Sequence, residues 1–399
     1  MYENISPEEH QAQIAALSHE IYELRKQLED AETQKRQAEL LDPKNPFDNP
    51  TEYPDYNGDY RDIVPQIEVP GCHIPVEPNK SEKKRLRRFY NIGGACLLLH
   101  LMFSTAVAAL LIGIIMFILQ RLNPTVSYND LYSYAYSSAI IISITTAVYL
   151  IANVLFSYIG LRWSGVGGKS LISTRDFGVK KAIQYCFCAI FIQYGAALVS
   201  TAFSSIFEKY GFSTDVDTSD MATSFIGTIV LILYECIIAP ITEELFYRGT
   251  VLKVFSRANQ RFAIVASAIF FGLAHGNLPQ FLLAFLLGMF LAHIDVKHNS
   301  IIPSIIVHIF INTSATIINY SNTLGSEFVT TIVTIVYCAV AAVGLILFVK
   351  FSRKNKLPRT TPQQSRRGFA IAKTSFTVIL AFAALMGEMA ITIISSRLS

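Results

Sequence analysis

Charge is scarce in this chain: 16% of its 399 residues are charged and the net charge is only +3. No large single-sign surface is available for nucleic acid, so the placement of the charges carries the information. Cysteine is also sparse. Cys72, Cys96, Cys186, Cys188, Cys236 and Cys338 show no CxxC and no Cys/His zinc spacing, and most lie in apolar runs. That excludes a disulfide framework and a thiolate metal site. There is no HExxH motif, and the opening MYENISPEEH lacks the apolar core of a cleavable signal peptide, so none is expected. No inverted repeat is visible, which argues against a secondary transporter. What the chain does have is apolar residues, at 52% of the total, with a mean hydropathy of +0.39. That composition points to an all-α polytopic membrane protein.

Residues 1–40 read as a cytosolic amphipathic helix. Ser6-Pro7-Glu8-Glu9 offers an N-cap, a proline at the first helical position and a capping-box glutamate. Ile14, Leu17, Ile21, Leu24 and Leu28 then follow a 3-4 spacing. Such a helix lies on its own protein or the membrane, or self-associates as a short coiled coil. Residues 41–80 contain eight of the fifteen prolines and read as an extended linker. The basic cluster Lys83, Lys84, Arg85, Arg87, Arg88 completes a linker-and-anchor region over 41–90. It precedes an apolar run directly, which makes it a topological anchor rather than a nucleic-acid patch.

Residues 91–395 form the transmembrane domain. Apolar runs near or above the ~18 residues needed to cross hydrocarbon recur at about 92–120, 136–160, 182–206, 224–247, 262–277, 279–295, 301–320, 328–350 and 369–394. Eight or nine spans follow, depending on whether the fifth and sixth form a tight hairpin or a re-entrant pair. Loops 161–181, 248–261 and 350–367 are rich in Lys and Arg, whereas 207–222 is acidic. By the positive-inside rule the N-terminus is cytoplasmic and the protein multi-pass, in the cell membrane if prokaryotic.

Polar groups inside these runs are expensive and mark sites. Glu243 and Glu244 end the fourth run in IIAPITEELFYR. Arg248 stands at i+4 from Glu244 with the acid on the N-terminal side, the favoured orientation for a helical ion pair. Adjacent helix residues diverge by about 100°, so Glu243 is expected to face a different neighbour. Pro240 removes a helix hydrogen bond just before it. An unpaired carboxylate at that kink is a reasonable general base. His275 follows in FFGLAHG, and His308 and Asn312 share one face of the seventh run. His100 and His293 read as structural and His298 as a loop residue; Tyr247, at i+4 from Glu243, reads as aromatic packing or as a residue lining the site.

Glu243-Glu244-x3-Arg248, Phe271-x3-His275 and His308-x3-Asn312 together resemble the three motifs of the CAAX-protease and bacteriocin-processing (Abi, CPBP) family. These are intramembrane glutamic endopeptidases related to the type II CAAX prenyl endopeptidases. The resemblance covers roughly residues 225–315, the protease core, and departs at Asn299, where the family commonly has Gly. It implies an endopeptidase whose cavity opens to the cytoplasm. Glu243 would activate a water, and His275 would position it or transfer protons. Asn312 and His308 would stabilise the oxyanion, while Glu244 and Arg248 support them. No cofactor and no metal are implied, although two histidines and a glutamate are also zinc-ligand types. The implied substrate is a peptide or membrane-protein segment, a prenylated C-terminus or a peptide leader. The bilayer and a protein partner of the N-terminal helix are the other implied contacts. The alternative is a non-proteolytic membrane scaffold that binds a partner through the same fold and its N-terminal arm.

Overall fold

A computed structural model describes residues 7–40, 80–137, 140–172, 174, 176–212, 225–355 and 369–398. Among the described residues there are helices and turns and no strand. The linker expected over 41–80 falls almost wholly outside them. Helix α1 is Pro7–Leu40, and α2, Lys80–Leu122, takes the basic cluster into its first turns as continuous helix. Lys and Arg are good helix formers, which is why no break separates the expected anchor from the span that follows.

Then come α3 (Tyr128–Ser137), α4 (Ile140–Ser164), α5 (Lys169–Ile172) and α6 (Val179–Lys209). A segmented run follows without a turn: α7 (Phe225–Leu233), a π-helical stretch Tyr234–Ile238, α8 (Ala239–Phe246), a second π stretch Tyr247–Leu252 and α9 (Lys253–Ser256). The chain closes with α10 (Gln260–Leu273), α11 (Leu278–His298), α12 (Ile302–Thr323), α13 (Glu327–Lys354) and α14 (Phe376–Leu398). Seven of these helices (α2, α4, α6, α11, α12, α13 and α14) are long and apolar enough to cross a membrane. The fourth expected span is the segmented run. The fifth is α10, whose 14 residues rise only about 21 Å, short of a ~30 Å hydrocarbon core.

Two large apolar clusters and a smaller one of Met116, Leu131, Ala135 and Ile141 hold the bundle, and α11 serves both large ones. Its Ala284 and Ala292 join side chains of α2, α4, α9, α10 and α14, while Leu287, Phe290, Leu291 and Ile294 join those of α6, α12 and α13. Large apolar side chains elsewhere, such as Leu110 and Phe117 on α2 and Ile335 and Ile346 on α13, point outward. In water they would be a liability; in lipid they are the expected exterior.

Small residues let the helices approach closely, the usual device where hydrocarbon surrounds the bundle. A Cβ at Gly94 would sit 2.5 Å from the Val378 backbone nitrogen, joining α2 to α14. One at Gly344 would collide with the Phe187 carbonyl oxygen, joining α13 to α6, whereas Gly387 has open space around it. Gly344→Ala should therefore lower the melting temperature in detergent, by overpacking worth about 1–3 kcal/mol. Gly387→Ala should leave it level or raise it, since alanine is the better helix former. Equal melting shifts for the two variants would contradict the packing.

Candidate active site

The loops that place the polar residues are locally specified. Asn259 caps α10 by accepting from Phe262 N at 2.8 Å, and Asn277 caps α11 by accepting from Gln280 N at 3.0 Å. Between the two helices, Gly276 takes φ +68°, a conformation glycine adopts at no steric cost. The α10–α11 pair is thus a tight hairpin. Asn299, after α11, sits at φ +53°, and asparagine is the residue besides glycine that tolerates this left-handed position. The departure at 299 keeps the backbone that glycine would supply.

Inside the bundle, Glu244 is fully buried and held from both sides. Arg248 Nε lies 3.1 Å from its Oε2, and His308 Nδ1 lies 2.8 Å from its Oε1. A carboxylate only accepts, so Nδ1 carries the proton and donates, and in the neutral ring Nε2 keeps its lone pair. That Nε2 is 3.9 Å from Glu243 Oε2. The two adjacent glutamates therefore address the same imidazole, one at each nitrogen, contrary to the expectation that they face different neighbours. The angular argument fixes where the Cβ atoms point; the flexible carboxylate arms and the width of the ring close the rest. Glu243 keeps 12% of its side chain accessible where Glu244 has none.

Arg248 is also fully buried, with its guanidinium 4.3 Å above the Phe271 ring, a cation–π contact in an apolar site. Gly288 of α11 makes room for it, since a Cβ there would lie 3.3 Å from Arg248 Nη2. Phe271 contacts His308 edge-on at 5.7 Å between ring centroids and His275 at 5.1 Å. His275 Nδ1 donates to the Phe271 carbonyl at 2.9 Å, satisfying a C-terminal carbonyl of α10 and fixing the tautomer. His275 and His308 are both electrostatic neighbours of Glu243. The short α10 explains how His275 reaches the others: the helix stops within the bundle, so its end faces the cluster and not the far surface.

Asn312, one turn along α12 from His308, also has a backbone partner on the segmented run. Its Nδ2 donates to the Glu235 carbonyl at 2.8 Å. In the π stretch the Ala239 N–H closes on Tyr234 O, five residues back. The next donor in that pattern is residue 240, a proline without an N–H, which leaves Glu235 O open. Asn312 fills that vacancy and ties α12 to the segmented run, so Pro240 produces a bridged irregularity.

Three contributors escaped the sequence reading. Tyr149 of α4 and Tyr234 stand close enough to Glu243 to interact electrostatically, and the Tyr149 and Tyr247 side chains hydrogen-bond each other. Tyr247 is thus more than aromatic packing. Asp295, fully buried on α11, accepts from Ser304 N at 3.0 Å and neighbours the Glu244–Arg248 pair. An aspartate inside an apolar helix is itself the signal that would have found it. His298 is no loop residue: it ends α11, is fully buried and lies 2.8 Å from Tyr185 Oη. His100 packs as expected, 2.9 Å from Asn153 Oδ1 and stacked on Phe246. Among the described residues, no group of three or more His, Cys, Asp or Glu side chains is arranged to hold a metal ion.

An all-helical, multi-pass membrane protein with a carboxylate–imidazole cluster buried in its bundle is the class these features define. Residues 225–314 match the family model described as type II CAAX prenyl endopeptidase Rce1-like. That stretch runs from α7 into α12 and carries the whole cluster except Tyr149. Comparisons with curated proteins and with solved structures give no match.

Breaking the buried pair on one side should be costly. Arg248→Met would leave Glu244 beside a single imidazole and should destabilise the protein by about 3–5 kcal/mol. Replacing both partners, Glu244→Gln with Arg248→Met, should recover part of that loss in thermal unfolding.

Proposed function

We propose that the protein is an intramembrane endopeptidase in which Glu243 activates a water for attack on a peptide carbonyl. The observation that supports this most is the pairing of the two glutamates on His308. Glu244 is committed to Arg248 and to Nδ1, which leaves Glu243, the more accessible carboxylate, facing Nε2 across 3.9 Å. A group held rigidly on one side and open on the other suits a general base. In the proposed step Glu243 takes a proton from water while the oxygen bonds to the carbonyl carbon. The same carboxyl then passes the proton to the leaving nitrogen as the C–N bond breaks, giving a carboxylic acid and an amine.

His308 and His275 orient the water through their Nε2 atoms, since the Nδ1 atoms are engaged by Glu244 and the Phe271 carbonyl. Asn312 has a second N–H besides the one given to Glu235, and this donor serves the oxyanion. The reading uses no metal. The placement of the Lys- and Arg-rich loops supports a cytoplasmic N-terminus and a cavity opening on that side. The substrate is a peptide segment presented at or within the membrane, and a prenylated C-terminus is the class that the family description suggests.

The test is terminal-peptide mapping of membranes carrying wild type, Glu243→Gln or Asn312→Ala at matched expression. Fragments that need Glu243 should vanish in Glu243→Gln, a loss of about 10²–10⁴ in rate. Asn312→Ala should slow the same cleavages by about 10²–10³. If the fragment sets are identical, the catalytic reading fails and a scaffold role takes its place. Cleavage should also persist with a strong chelator present; a loss restored by zinc would overturn the metal-free mechanism.

A further inference from the structure

Helix α1 plays no part in the site, yet it carries the clearest unsatisfied surface outside the bundle. Ile14, Leu17, Ile21, Leu24 and Leu28 are each 51% to 62% exposed. Their 3-4 spacing forms the narrow seam of a heptad repeat, with Ile14, Ile21 and Leu28 at a and Leu17, Leu24 and Ala31 at d. A helix docking on a globular surface shows a wider apolar face; a strict 3.5-residue period is matched by another helix winding around it. A lipid surface suits it poorly, since α1 has eight acidic against four basic side chains and interfacial helices are rich in Lys and Arg.

We propose that α1 pairs in parallel with α1 of a second copy of this chain. Ile at a with Leu at d is the pattern that favours parallel two-stranded coils. In that register Glu20, at g, meets Arg25, at e, of the second copy, and symmetry repeats the attraction. The neighbouring pairs, Gln13 with Ser18 and Gln27 with Glu32, bring no like charges together. Two copies inserted the same way present α1 on the same side of the bilayer. The seam is short, and confinement to one bilayer raises the effective concentration that a short zipper needs.

The experiment is energy transfer between N-terminally labelled copies of the full-length chain in liposomes, at constant protein-to-lipid ratio. Glu20→Arg or Arg25→Glu alone should weaken pairing on the order of tenfold, and the two together should restore it. Ile21→Ser with Leu24→Ser should abolish the signal while the membrane domain keeps its melting temperature. Unchanged transfer in the seam variant, or no rescue in the double charge swap, would overturn the proposal. So would a photo-crosslinker at Leu24 that captures lipid or a different protein in native membranes in place of a second α1.

Discussion

Glu244, gripped by Arg248 on one oxygen and His308 on the other, is the contact on which the arrangement of this bundle turns. A bare carboxylate at that depth would be prohibitively costly, so both partners must be present and correctly aimed. Arg248 in turn needs the face of Phe271 on α10 and the space left by Gly288 on α11. His308 belongs to α12. One buried anion therefore couples the segmented run to three other helices, and the position of Glu243 follows from that coupling.

The backbone around this anchor is irregular in ways that a membrane interior tolerates only when each polar group finds a partner. The two π stretches flank α8, the segment that carries both glutamates. Pro240 leaves one carbonyl without a donor and Asn312 supplies it from another helix. The His275 ring does the same for the Phe271 carbonyl at the end of α10. Two residues whose types suggest chemistry thus also hold backbone together. Substituting either one perturbs geometry as well as reactivity, which is why paired stability and activity readouts are needed for them.

Much of the fold was legible from local rules. Hydrophobic run length marked nearly every span, and the i,i+4 spacing marked the Glu244–Arg248 pair. These features depend on residues within about a turn of one another, where helix geometry leaves few choices. The length of α10 was harder, because hydropathy continues through Leu273 to His275 and does not register where the hydrogen bonding stops.

Residue types and local spacing alone established a helical membrane protein with acids and histidines at three points of adjacent runs. They could not establish which nitrogen meets which carboxylate, because that depends on how the flexible side chains of separate helices converge. The shared imidazole, the donation from Asn312 to Glu235 and the presence of Tyr149 and Asp295 at the cluster emerge only when α4, α8, α11 and α12 are packed together. Interhelical contacts join residues tens of positions apart, through side-chain angles and small-residue approaches that leave no periodic trace in the chain.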